Sequence, residues 1–305
     1  MSQDPGKELL NAGWNFTAKL HSDTYPAISP ANSDLGGSNV FITGASKGCG
    51  KATAISFAQA GASGIALAAR SPLDSVVAEV LAAAERAGKP KPKVVAVHLD
   101  VTKREDVEAA LEVISGAFGG RLDVLINNAG RLSKSVPFLE TDPDDYFEDY
   151  KVNILGPYLI TRFFLPLLFT SPTKLLVNVA SVGAVQLSPY ASAYSCSKLA
   201  LLRFGEFLEV EHGPQTDDGV IIVGVHPGAV DTPLARGLVE EYHGLLKDEA
   251  RLCGDWMVWC ASQRREWLSG RYISVNWDVE EFEGMKDRIV KGDLLKNRMV
   301  VTPFS

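Results

Sequence analysis

The sequence predicts an α/β protein, a single doubly wound domain whose seven-stranded parallel sheet is flanked by helices. Three observations predict it. From residue 39 onward, short apolar runs alternate with helical patterns. The runs are apolar throughout, as strands covered on both faces must be. Helical stretches of ten or more residues separate them, long enough for parallel crossovers.

Taken in order, Val40-Phe41-Ile42 predicts the first strand, followed by a glycine-rich turn and a helix from Lys51 to Ala60. Ile65–Ala69 is the second strand. Leu73–Ala87 has helical periodicity and stops at Gly88. Val94–His98 is the third strand, Lys103–Phe118 a helix, and Leu122–Ile126 the fourth strand. Asp144–Phe169 reads as one long helix kinked at Pro157 and Pro166. Leu175–Val179, a helix over 191–210, Val220–Val225 and a weak last strand, Tyr272–Val275, complete the alternation.

The 305 residues are 46% hydrophobic and 22% charged, ample for one large domain. The expected organisation is an N-terminal extension (1–37), a nucleotide-binding domain (38–278) with a lid insert (231–265), and a charged tail (279–305). Net charge is −7, which excludes bulk attraction to nucleic acid or to an anionic membrane. No apolar run reaches membrane-span length. The first 36 residues hold four acids, no arginine and no apolar stretch, unlike a secretory signal or a transit peptide. A cytoplasmic protein is therefore expected. Cys49, Cys196, Cys253 and Cys260 have no metal-ligand spacing, so no metal is expected; they read as small packing residues.

The chemistry gathers in two places. Thr43-Gly44-Ala45-Ser46-Lys47-Gly48-Cys49-Gly50 follows a strand and opens a helix, the context of a dinucleotide-binding turn. Its glycines let backbone N–H groups approach a pyrophosphate at a helix N-terminus. The second strand ends in Ala69-Arg70-Ser71, where an NAD site places an acid for the ribose 2′-hydroxyl. A carboxylate would repel a 2′-phosphate; Arg70, with Lys47 nearby, would pair with one. The expected cofactor is NADP(H). Asp100-Val101 ends the third strand, where the carboxylate would accept from an adenine amine or cap the next helix. Asn127-Asn128-Ala129-Gly130 ends the fourth, with small residues that let backbone lie against ribose and nicotinamide. In the second place, Tyr194 and Lys198 stack four apart on one helix face, where an ammonium lowers a phenol's pKa for proton transfer.

These motifs, in this order, closely resemble the short-chain dehydrogenases/reductases. The match comprises Thr43-Gly44-x-x-x-Gly48-x-Gly50, Asp100, Asn127-Asn128-Ala129-Gly130, Asn153, Ser181, Tyr194-x-x-x-Lys198 and Pro227-Gly228-x-Val230-x-Thr232, over residues 38–276. The resemblance implies a Rossmann fold and a catalytic tetrad. Tyr194 would protonate a carbonyl oxygen, Ser181 would hydrogen-bond it, Lys198 would tune Tyr194 and hold the ribose, and Asn153 would hold a water. The alternative for Asn153 is a helix-kink asparagine. The implied cofactor contacts are Gly44, Ser46, Lys47, Gly48, Cys49, Gly50, Arg70, Ser71, Asp100, Val101, Asn128, Ala129, Gly130, Tyr194, Lys198, Val230 and Thr232.

Partners expected from the resemblance are a small-molecule carbonyl substrate and further copies of the chain, as a homo-oligomer (dimer or tetramer). Two departures stand out. Cys49 replaces the usual isoleucine, and Val275-Asn276-Trp277-Asp278 replaces Asp-Gly-Gly, which puts the usual tetramer contact in doubt. The N-terminal arm, residues 269–278 and the tail resemble a fungal subset of the family that serves secondary metabolism. Substrate walls are expected from Arg131, Leu132, Val182–Tyr190 and the insert from Pro233 to Trp259. The insert's Leu234, Leu238, Tyr242, Leu245, Trp256 and Trp259 fit either a lid over a bulky, weakly polar ketone or a helix–helix or dimer contact. The leading expectation is an NADPH-dependent carbonyl reductase. A non-redox enzyme on the same scaffold and an NADP-binding sensor stay open, because fold does not fix reaction.

Overall fold

The computed structural model describes residues 12–299. Residues 1–11 of the expected extension and 300–305 of the expected tail lie outside the described residues. Seven parallel strands run in the order β3-β2-β1-β4-β5-β6-β7. They are β1 Asn39–Thr43, β2 Gly64–Ala69, β3 Lys93–His98, β4 Val124–Asn127, β5 Leu175–Val179, β6 Ile221–His226 and β7 Arg271–Ser274. Helices α1 Gly48–Gln59, α2 Asp74–Arg86 and α3 Arg104–Phe118 follow the first three strands. Pro143–Tyr150 (α4) and Gly156–Leu168 (α5) lie between β4 and β5, α6 Ser192–His212 between β5 and β6, and α7 Ala250–Ser262 between β6 and β7. Two short helices, α8 Val279–Gly284 and α9 Lys286–Lys291, follow.

Strand residues alternate between two cores, as a period of two requires. Val40, Ile42, Ile126 and Val177 join the core under α1 and α7. Phe41, Leu125, Leu176 and Ile222 join the core under α3, α5 and α6. The predicted strands are thus all present. The last, expected to be weak, is fully buried, whereas edge strand β3 is half exposed.

Three segments differ from expectation. The long helix 144–169 is two helices joined by a π turn at Lys151–Leu155. Pro157 is the second residue of α5 and follows directly on that π turn. Second, α7 is a core helix rather than a lid. Gly254 lets it touch α1 so closely that a Cβ there would lie 2.8 Å from the Ala52 carbonyl oxygen. Ser56 of α1 donates to Asp255 at 2.6 Å, and Trp256 and Trp259 are buried. The helix–helix reading of these tryptophans holds because their neighbours form an apolar seam. Third, the start of the tail is core, since Val279, Phe282 and Ile289 are buried on its inner side.

Residues 13–25 dock on the end of β7. Leu20 forms an antiparallel bridge with Trp277, the His21 amide donates to the Asn276 carbonyl at 2.8 Å, and the Trp277 indole donates to the Gly13 carbonyl at 2.9 Å. Among the described residues, no helix is long and apolar enough to cross a membrane.

Candidate active site

The strand order reverses between β1 and β4, and the crevice at such a switch point is where doubly wound sheets bind ligands. Thr43 and Asn128 tie its two walls together. The Asn128 side-chain amide donates to the Thr43 carbonyl at 2.8 Å, and the Thr43 hydroxyl accepts from the amides of Asn128 and Ala129 at 3.0 and 3.1 Å. Gly44, at φ +67°, passes so close to the other wall that a Cβ would lie 2.8 Å from the Ala129 Cα. The helix α1 begins after Lys47 with no side-chain cap, leaving its first amides for an anion.

The cleft, with the open solvent at its mouth, encloses about 1150 Å³. All the expected cofactor residues line it except Val230. The chain after Gly228 is fastened to Asp248, which accepts the Ala229 amide at 2.6 Å and bridges Val230, and Val230 itself is buried. Lys47 and Arg70 are exposed at the cleft, and among the described residues neither has an ion-pair partner. Asp100 does not cap α3; its carboxylate closes a turn by accepting from the Thr102 hydroxyl and amide at 2.7 and 3.0 Å. Burial opposes its charge, but those two bonds, with Arg70 nearby, hold it below its usual pKa.

The catalytic candidates converge at the carboxyl ends of β4, β5 and β6. Asn153, fully buried in the π turn, donates to the Ser197 hydroxyl at 2.9 Å. Next to Ser197, the Lys198 ammonium donates to the Val179 carbonyl at 2.7 Å and lies 5.7 Å from the Tyr194 ring centre. A Cβ on Gly130 would stand 3.5 Å from the Lys198 ammonium and 3.6 Å from the Asn153 carbonyl oxygen, so both groups face one point. A Cβ on Gly183 would stand 3.4 Å from the Ser181 hydroxyl and 3.8 Å from the Tyr194 ring.

The electrostatics differ from the simple picture of a phenol acidified by lysine. Burial pushes Tyr194 up to about 12, with the Ser181 hydroxyl pulling the other way and Asp149 adding to the rise. Burial pushes Lys198 down to about 8, opposed by Asp149. The ammonium donates to Val179, and the largest influence on the phenol is its own desolvation.

Sequence reasoning missed the partner of Arg131. Instead of a free wall group, its guanidinium pairs with Asp145 and, at 2.6 Å, with the buried Asp149, which also accepts from the Ser133 amide and hydroxyl at 3.0 Å. Burial holds Asp149 above the usual carboxylate range, against Ser133 and Arg131. The signal was Asp149 one helical turn before Asn153. His226 was also missed as a structural group: its Nδ1 accepts the Val182 amide at 3.1 Å, while Nε2 is buried without a partner. Of the expected walls, Leu234 lines the cleft, and a Cβ on Gly237 would press on Leu132.

A switch-point crevice, a glycine turn at an uncapped helix, and a tyrosine–lysine pair beside it define a nucleotide-dependent oxidoreductase. The profile of the family described as "short chain dehydrogenase" matches residues 38–243, and the chain belongs to that family. It is 47% identical over 291 residues to short chain dehydrogenase mpl6 of Monascus purpureus, covering 95% of this chain and 98% of that one. It is 44% identical to short chain dehydrogenase pigC of Monascus ruber, covering 94% of each. Among solved structures, levodione reductase aligns with a TM-score of 0.71 at 25% identity, over 79% of this chain and 97% of that one. A 3-ketoacyl-(acyl-carrier-protein) reductase from Brucella melitensis, complexed with NADH, aligns with a TM-score of 0.68 at 26% identity, over 79% and 98%. The chain is thus an oxidoreductase of the CH-OH/C=O class, in a family that uses NAD(P)(H).

Proposed function

We propose that the protein is an NADPH-dependent carbonyl reductase for a bulky, weakly polar ketone in fungal secondary metabolism. The observation that carries the reading is a cleft lined by Tyr194 and Lys198 and also by Arg70 and Lys47, with the Ser181 hydroxyl bonded to Tyr194 and the Asn153 side chain facing the same point as the Lys198 ammonium. The cleft residues fit a dinucleotide. Gly44 and Gly48 leave room where a side chain would intrude, and the first amides of α1 suit a pyrophosphate. Bound there, NADPH supplies the hydride. Arg70 and Lys47 would pair with its 2′-phosphate, a role an acid in that place would defeat.

The chain's own work is on the carbonyl oxygen. A phenol held near 12 keeps its proton at neutral pH and is still acidic enough to give it to a developing alkoxide. The Ser181 hydroxyl donates to the same oxygen and stabilises its charge. Lys198, in its charged form below pH 8, favours the phenolate that Tyr194 leaves behind. Asn153 holds the local backbone and would hold the water that links Lys198 to solvent, by which the proton is returned.

Apolar groups exposed on the loops after β4 and β5, Phe138, Leu139, Leu187 and Tyr190, support a large, weakly polar substrate. Phe207 and Val210 of α6, with Tyr158 of α5, form an exposed apolar face that supports a homodimer. The cytoplasm remains the proposed compartment.

The test is NADPH oxidation by the purified protein against a panel of aromatic and alicyclic ketones. Tyr194→Phe is expected to lower kcat at least about 10²-fold with NADPH affinity retained. Product formed with no nicotinamide consumed would replace this reading with a non-redox one.

A further inference from the structure

We infer that the N-terminal arm is part of the substrate-recognition apparatus, with Trp14 as the positioning residue for the loop between Ser181 and Tyr190. The inference rests on the reductase reading only for what the loop contacts; the brace itself stands on geometry.

The loop starts at Ser181, whose hydroxyl accepts the Gly183 amide at 3.1 Å, so any shift of the loop moves that hydroxyl. Its internal support is one tight turn, closed by bonds from Ala184, Val185 and Gln186 back to Ser181 and Val182. Beyond it the chain is exposed: Leu187 is 77% exposed, and Tyr190 adopts a left-handed φ of +68°. Ala184 is buried in the core and Val185 packs against it, so the start of the turn is held, but residues 187–190 have few anchors and are expected to move unless something outside them holds Gln186, from which they lead.

Trp14 reaches both ends of that turn. Its indole N–H donates to the Gln186 side-chain carbonyl at 3.2 Å, across 172 residues of sequence. Its ring stands edge-to-face against His226 at 6.0 Å between centroids. His226 in turn accepts the Val182 amide at the start of the turn. The arm can act as a brace because it is fixed one residue earlier: the Trp277 indole donates to the Gly13 carbonyl, and Gly13 turns at φ +76° where a Cβ would stand 3.3 Å from the Trp277 ring. Phe16 packs on Trp277 at 4.9 Å. The same Trp277 stands where the family's glycines are replaced, so the departure at the end of β7 and the added arm form one device.

The test combines hydrogen exchange with steady-state kinetics on the full-length protein, using Trp14→Ala, Trp14→Phe and Gln186→Leu. In Trp14→Ala, amide exchange over residues 182–190 should accelerate at least tenfold, with α1 and β1 unchanged. KM for the largest ketones of the panel should rise at least fivefold, with NADPH affinity held and small ketones affected less. Trp14→Phe, which keeps a ring against His226 but loses the N–H, should fall between. Gln186→Leu cuts the same bond from the loop side and serves if the arm variant folds poorly. Unchanged loop exchange in both Trp14→Ala and Gln186→Leu overturns the brace. Faster exchange with KM and kcat unmoved for every ketone overturns the recognition role. If wild-type protein reduces no ketone, the reductase reading fails by itself, and the exchange result still decides the brace.

Discussion

Asn153 and Arg131 are hydrogen-bonded in both directions. The Asn153 side-chain carbonyl accepts the Arg131 amide at 2.9 Å, and its NH₂ donates to the Arg131 carbonyl at 2.9 Å. The Arg131 guanidinium, meanwhile, pairs with Asp149 one helical turn before Asn153. Backbone and side chain of one residue thus pin the π turn against the end of β4.

Removing one partner of that pair should be costly. Arg131→Met leaves the buried Asp149 carboxylate uncompensated, and a loss of about 3–5 kcal/mol is expected by urea denaturation. Asp149→Asn, which keeps the shape and the Ser133 contacts, should lose less. The double variant should recover part of the loss, because the two side chains share one interaction. Additive losses would show that they do not.

His226 makes stability depend on pH. Burial pushes its pKa down to about 4, and its Nδ1 is occupied as an acceptor. The neutral form belongs to the folded state, so its contribution is complete above the unfolded value near 6.5 and is lost as pH falls towards 4. The loss across that window is up to roughly 3 kcal/mol. His226→Asn retains an acceptor for Val182 and should flatten denaturation midpoints between pH 7 and pH 4.5. A slope as steep as the wild type's would assign the effect to other groups.

Lys198 costs the fold stability at neutral pH. A buried ammonium pushed down to about 8 has a folded pKa below its unfolded value near 10.5, so stability falls as pH drops through that window. Lys198→Met should therefore raise stability at pH 7 by about 1–2 kcal/mol, after allowing for the lost bond to Val179. The same change should abolish turnover. In the wild type, kcat/KM for reduction should decline above about pH 8 as the ammonium deprotonates.

Cofactor choice should turn on Arg70. In the proposed reading, Arg70→Asp weakens NADPH binding at least about 30-fold, through loss of a charge-assisted pair and gain of a repulsion, and leaves NADH within about threefold. Titration calorimetry with each nucleotide checks this. Equal losses for both would remove Arg70 from the 2′-phosphate.

The sequence by itself determined the doubly wound fold, the seven strands and the places where the cleft's residues fall. Strand burial, crossover length and glycine turns are local patterns, and local patterns are written in consecutive residues. It could not determine that α7 is core rather than lid, because an apolar helix looks the same whichever surface covers it. Nor could it show that Arg131 is spent on Asp149, that Asp248 fastens the chain at Ala229 and Val230, or that Trp14 reaches Gln186. Those pairings join residues far apart in the chain, and only close packing selects among the partners that composition allows. The ionisation of Tyr194 and Lys198 was decided the same way, since the spacing of four sets their proximity but the surrounding protein sets how much water each loses.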